Sequence, residues 1–182
     1  MTFEEADSFP GDPDGLQRLW TPHRAAYIGG ENKPASPASA ECPFCHAPTV
    51  DDESGLIFAR GQSCFGLLNL YPYNSGHVLI CTYRHVSMYP DLTEEERSEM
   101  ALMTSRAMQV LGATMHPHGF NLGMNQGEVA GAGIAAHIHQ HIVPRWGGDA
   151  NFFPIIAQTK AVPAILGDTR RELAATWQKL FG

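Results

Sequence analysis

His137-Ile138-His139-Gln140-His141-Ile142-Val143 alternates one imidazole with one other side chain. A period of two belongs to an extended strand, in which successive side chains point to opposite faces. The segment therefore predicts a strand over 137–143, with His137, His139 and His141 on one face and Ile138, Gln140 and Ile142 on the other. Same-face neighbours in such a strand stand ~7 Å apart. Three imidazoles in register are costly to bury without a task, so the row marks a functional site. Two chemistries can use it. Neutral imidazoles can ligate a metal, or one can act as a nucleophile while its neighbours set its tautomer.

Residues 120–125 read as a second strand. Between the two strands, residues 125–134 (Asn-Gln-Gly-Glu-Val-Ala-Gly-Ala-Gly-Ile) are small and glycine-rich. Such a run lets backbone N–H groups close around an anion, which places a phosphate beside the imidazoles. Further upstream, 56–60 and 63–70 flank Gly61-Gln62 as a hairpin, and 76–83 is a strongly apolar strand. Thr93 opens a helix over 93–114, with Glu96 completing a capping box. Met100, Met103, Ala107, Val110 and Leu111 fall on one helical face and are read as core. Gly112 and Pro117 are expected to end that helix. Asp168 is expected to cap a last helix over 169–180, with Leu173 and Trp177 on its inner face. Antiparallel strands around one long helix make an α+β domain.

The chain has 182 residues, with 12 Lys and Arg against 19 Asp and Glu, a formal charge of −7, and nine histidines. That balance excludes an extended basic surface for nucleic acid. No apolar run reaches the ~20 residues that cross a bilayer. The N-terminus has neither the basic nor the apolar region of a secretory signal, so the expected location is cytoplasmic. Residues 1–41 are read as an arm and a Gly/Pro/Ser linker, 42–146 as the main domain, and 147–182 as a C-terminal extension with a helix.

Cys42-Pro43-Phe44-Cys45 is a CxxC pair, the spacing of a zinc site or a redox pair. No βαβ context favours the redox reading, and zinc needs two further ligands. His46 is one candidate, though awkwardly placed beside Cys45. Cys64 and Cys81 lie in apolar strands and are read as small core residues. His77 is expected to hydrogen-bond near the sheet, His116 and His118 to flank a surface turn, and His23 to lie in the arm.

His-Ile-His-Gln-His-Ile-Val followed by Pro144-Arg145-Trp146 resembles the signature of the histidine triad (HIT) superfamily. The segments LNLYPYNSGHVLI (68–80) and GFNLGMNQGEVAGAG (119–133) resemble its other motifs. The tail from Pro144 and the arm LQRLWTPHRAAY are similar to the branch containing bacterial diadenosine tetraphosphate phosphorylases (ATP adenylyltransferases). The resemblance implies a HIT-like α+β fold and a covalent nucleotidyl-histidine. His139 would attack the α-phosphorus, His141 would hold its oxygens and help the leaving group depart, and His137 would order the strand. Asn69 would hold ribose, and Asn125 with the backbone of Ala132 and Gly133 would cradle phosphate. Trp146 would stack on adenine or serve as a partly buried plug. The partner would be an adenine dinucleoside polyphosphate, with inorganic phosphate or water as acceptor. The resemblance also implies a structural zinc held by Cys42, Cys45, His85 and His137, no organic cofactor, and a homodimer for which helix 93–114 is a candidate contact.

Two departures are visible. Gln140 replaces the usual apolar spacer, and Gly133-Ile134 stand where many hydrolases of the superfamily carry Gln-Thr, which favours the phosphorylase branch. Two other readings compete with nucleotidyl transfer. One is a metal-dependent hydrolase using the histidine row as ligands, which lacks an evident carboxylate partner. The other is a non-catalytic nucleotide-binding module, against which an intact His139 argues.

Overall fold

A computed structural model of the chain describes residues 42–149 and 165–182. The arm 1–41 and residues 150–164 lie outside the described residues, as do His23 and the expected linker.

Five antiparallel strands form one sheet: β1 (Ile57–Arg60), β2 (Cys64–Leu68), β3 (Val78–Thr82), β4 (Gly119–Gly123) and β5 (His139–Arg145), in the order β1-β2-β3-β5-β4. The expected hairpin, apolar strand and histidine strand are all present. The last begins two residues later than the alternation suggests. His137 sits in a bend ahead of the ladder, where Ile138 N–H donates to the Val86 carbonyl (2.7 Å).

Helix α1 (Pro43–His46) lies beside the sheet, α2 (Glu94–Met115) runs under it, and α3 (Leu166–Phe181) follows near the C-terminus. The α2 capping box is complete: Glu96 N–H donates to Thr93 Oγ1 (3.2 Å) and Thr93 N–H to Glu96 Oε2 (2.9 Å). The helix continues through Gly112 and ends with His116 in the left-handed region (φ 48°). Its observed bounds match the expected 93–114 to within one residue at each end. α3 starts at Leu166, earlier than expected. Asp168 therefore lies in its first turn, where its charge suits the helix dipole, rather than at the cap.

Alternation sorts the sheet into two faces. Cys64, Leu68, Val78, Ile80 and Ile142 point to the helices and form one core with Met100, Met103, Ala107, Val110, Leu111 and Leu173. Each large side chain buried there is worth ~1.5–3 kcal/mol. Trp177 packs edge-on against Phe58 at 5.8 Å, and Arg106 lies over the Phe181 ring at 4.9 Å. These contacts tie α3 into the same folded unit. The other face carries Phe65, Leu67, Leu79 and Cys81, covered by Phe44 and Ala47. Cys64 and Cys81 are fully buried, as expected of core residues. Among the described residues, no helix is long and apolar enough to cross a membrane.

Candidate active site

The two strands that meet at the centre of the sheet set the site. His139 pairs with Cys81 and His141 with Leu79, both on the face opposite the helices. Gln140 pairs with Ile80, on the other face from the triad. The His139 and His141 rings lie 4.9 Å apart between centroids.

Each imidazole has a tautomer dictated by its partner. A carbonyl only accepts, so the 2.8 Å contact from His139 Nδ1 to the His137 carbonyl puts the proton on Nδ1. The Nε2 lone pair of His139 is then free. Burial pushes its pKa down, against the opposing pull of that hydrogen bond, so the imidazole is held neutral. Phe44 covers it at 4.8 Å.

His77 does the reverse for His141. The Tyr73 N–H donates to His77 Nδ1 (2.9 Å), with Asn69 Nδ2 at 3.3 Å from the same nitrogen. The His77 proton must then sit on Nε2, from which it is donated to His141 Nδ1 at 2.9 Å. His141 is left with its own proton on Nε2. Burial, reinforced by His141 and His139, lowers the His77 pKa to about 3, so His77 is neutral at physiological pH. Two adjacent imidazoles thus present opposite functions, a lone pair on His139 and an N–H on His141.

The expectation that His77 hydrogen-bonds near the sheet is met, but the sequence does not disclose its contact with His141. The signal that would have raised its standing was Gly76, which adopts φ 69° and lies so close to α2 that a Cβ there would meet Met115 Sδ at 2.5 Å. The positive φ favours glycine, and the turn it permits delivers His77 to the site.

Asn69 touches His77 and also accepts from the Tyr71 N–H (3.0 Å). Asn125, Ala132 and Gly133 lie in the segment 124–138 that joins β4 to β5, where Gly127 and Gly131 have φ of 82° and 78°.

Trp146 is not brought to the triad. Its indole N–H donates to the Met115 carbonyl at the C-terminus of α2 (3.3 Å), on the helix side. Strand parity explains this: Trp146 is an odd number of residues from His139, and about 17 Å along the strand from His141. The Trp146 side chain is partly buried there.

The second cluster is next to the first. Cys42, Cys45, His85 and His137 direct one ligand atom each into a space where all four lie within 4.8 Å of one another. Cys42 Sγ is 3.4 Å from His137 Nδ1, Cys45 Sγ 3.2 Å from His85 Nδ1, and Cys45 Sγ 3.5 Å from His137 Nδ1. A tetrahedral zinc with Zn–S ~2.3 Å and Zn–N ~2.0–2.1 Å separates sulfur from nitrogen by about 3.5 Å, so the donors fit that ion. His137 donates its Nε2–H to the Thr82 carbonyl (2.9 Å), which leaves Nδ1 as the ligating atom. His85 Nε2 is buried with no partner among the described residues, a cost that a metal bond at Nδ1 would offset. Burial, and then Cys42, push the Cys45 thiol up to about 11, the reverse of a reactive redox thiol. His46 is exposed and outside the cluster. Of the histidine row, only His137 belongs to it, so the row does not converge on one ion.

The HIT domain family matches residues 53–148. A Mycobacterium tuberculosis protein named AP-4-A phosphorylase is 48% identical over 172 residues, covering 93% of this chain and 88% of that one. A bis(5'-adenosyl)-triphosphatase of Dictyostelium discoideum is 36% identical over 89 residues, 49% of this chain and 59% of that one. A Zn-bound histidine triad family protein from Mycobacterium smegmatis superposes with a TM-score of 0.61 at 25% identity, over 79% of this chain and 97% of that one. With the triad face, the domain match and these relatives in agreement, the chain belongs to the histidine triad (HIT) family.

Proposed function

We propose that the protein is a nucleotidyltransferase that cleaves diadenosine tetraphosphate with inorganic phosphate, giving ADP and ATP. The observation that carries this reading is the pair of opposite tautomers at His139 and His141. His139 Nε2 attacks the α-phosphorus and a P–N bond forms. The P–O bond to the leaving ATP breaks with its electron pair, while the His141 Nε2–H supports the oxygen that gains charge. A phosphate oxygen then attacks the adenylyl-His139, the P–N bond breaks, and the Nε2 lone pair returns as ADP leaves.

Asn69 holds the ribose, and Asn125 with the backbone at Ala132 and Gly133 cradles phosphate. The relative named AP-4-A phosphorylase, matched over nearly the whole chain, supports phosphate rather than water as acceptor. Zinc is bound by Cys42, Cys45, His85 and His137 as a structural ion that ties α1 to the sheet. The Zn-bound mycobacterial relative supports that reading.

The catalytic unit spans 42–146, with 1–41 as an arm and 147–182 as an extension, and it works in the cytoplasm as a homodimer. The outer face of α2, where Leu102 is exposed, is the candidate contact between the two copies.

The test is product analysis after incubation with diadenosine tetraphosphate. ADP and ATP formed only when phosphate is present support the reading. AMP formed without phosphate overturns the choice of acceptor in favour of hydrolysis. His139→Ala is expected to abolish turnover, and full activity in that variant overturns the nucleophile.

A further inference from the structure

Beyond His141 the triad face continues along β5 as Val143 and Arg145. The neighbouring strand presents almost nothing there. Gly123 pairs with His141, Asn121 with Val143 and Gly119 with Arg145, so β4 offers only two glycines and an asparagine on this face. A Cβ built at Gly119 or Gly123 meets no atom of the described residues within 4 Å. Among the described residues this leaves a trough leading away from the imidazoles. At its far end Tyr73, Asn74, Asn121, Val143 and Arg145 line a cleft of about 200 Å³. That is below the ~300–1,000 Å³ of a pocket that takes a whole drug-sized ligand, so the cleft suits one end of a ligand.

We infer that this cleft receives the distal nucleoside of the substrate, the half that leaves with the remaining phosphates. The inference rests on the nucleotidyl-transfer reading above. Its first support is direction. The other end of the row is closed by the Cys42–Cys45–His85–His137 cluster, and the β2–β3 side is covered by Phe44. An extended ligand whose α-phosphorus meets His139 leaves over His141 toward Val143 and Arg145, about 13 Å and 20 Å away along the strand.

The second support is charge. Arg145 is matched by Asp149 through Nε (2.6 Å) and Nη2 (2.9 Å), and its Nη1 donates to Asn121 Oδ1 (2.7 Å). A neutralised guanidinium offers little to a further phosphate but leaves polar edges for a base. The Tyr73 ring, stacked on His141 at 5.6 Å, forms the apolar wall between the phosphate end and the base end.

The experiment compares diadenosine tetraphosphate with adenosine 5′-tetraphosphate, which has the same phosphate chain and no distal nucleoside. ADP release in the presence of phosphate is followed for both. The wild type is expected to favour the dinucleotide in kcat/KM by about tenfold or more. Asn121→Phe, which fills the cleft from an exposed strand position, is expected to lower that preference by about fivefold or more. A wild-type preference under about threefold, or a variant preference within about twofold of wild type, overturns the inference while leaving adenylyl transfer standing. If neither compound yields ADP, the reading of the site itself fails, and the inference with it.

Discussion

His77 Nε2 lies 2.9 Å from His141 Nδ1, and the backbone N–H of Tyr73 holds the other His77 nitrogen as an acceptor. A main-chain amide thereby decides which nitrogen of a second histidine carries its proton. His77 is a positioning residue in this chain. His77→Ala is expected to lower kcat roughly 10²-fold, with KM nearly unchanged. Gln can accept from the Tyr73 amide and donate to His141, so His77→Gln is expected to restore most of the loss. Steady-state kinetics of the two variants checks this; equal defects would show that His77 only fills space.

Stability should carry a pH signature from the same residue. The folded pKa of His77, about 3, lies below its ordinary value near 6.5. The unfolded chain therefore binds the proton more readily. Its stabilising contribution is complete above about pH 6.5 and is lost as pH falls toward 3, a few kcal/mol in all. Melting temperatures at pH 7.5, 6 and 5 (about one unit or more apart) should fall more steeply for wild type than for His77→Gln. Parallel curves would remove His77 as the source.

Cys42→Ser is expected to reduce bound zinc from about one per chain to a small fraction, with a loss of several kcal/mol in stability because metal binding is coupled to folding. Elemental analysis and thermal unfolding read the two effects. A metal-free wild type of equal stability would refute the zinc site.

The junction between α2 and the segment after β3 is held by Glu96, which is 5% exposed. Its carboxylate completes the capping box and accepts from Arg84 Nε (2.9 Å) and Nη2 (2.6 Å), one residue before His85. The Arg84 hydrogen bonds lower the Glu96 pKa. Glu96→Ala is expected to cost about 2 kcal/mol, and Glu96→Gln about half of that, since Gln retains the cap. Urea denaturation of both variants measures the difference.

Local rules made much of this legible. The alternation in 137–143 placed His139 and His141 on one face, and the helical spacing from Met100 to Leu111 marked the core. What stayed hidden depends on register and turns. Nothing in residues 76–83 says that Leu79 will face His141 and bring His77 to its Nδ1. His137 stands ahead of the ladder with its ring beside the two cysteines, a long-range contact. The placement of Trp146 was available from parity alone, since it and His139 sit on opposite faces of an extended segment. The C-terminus of α2, at Met115, lies one residue beyond the expected end.

Position 137 serves two masters through different atoms. Its ring joins the cysteine cluster, while its carbonyl holds the Nδ1 proton of His139. Every amino acid has a carbonyl, but only histidine contributes that ring nitrogen. The two duties are therefore separable over evolutionary time. A descendant that lost Cys42 and Cys45 would be free to exchange the residue at 137, and its nucleophile would keep the same proton on the same nitrogen as long as the main chain kept its course.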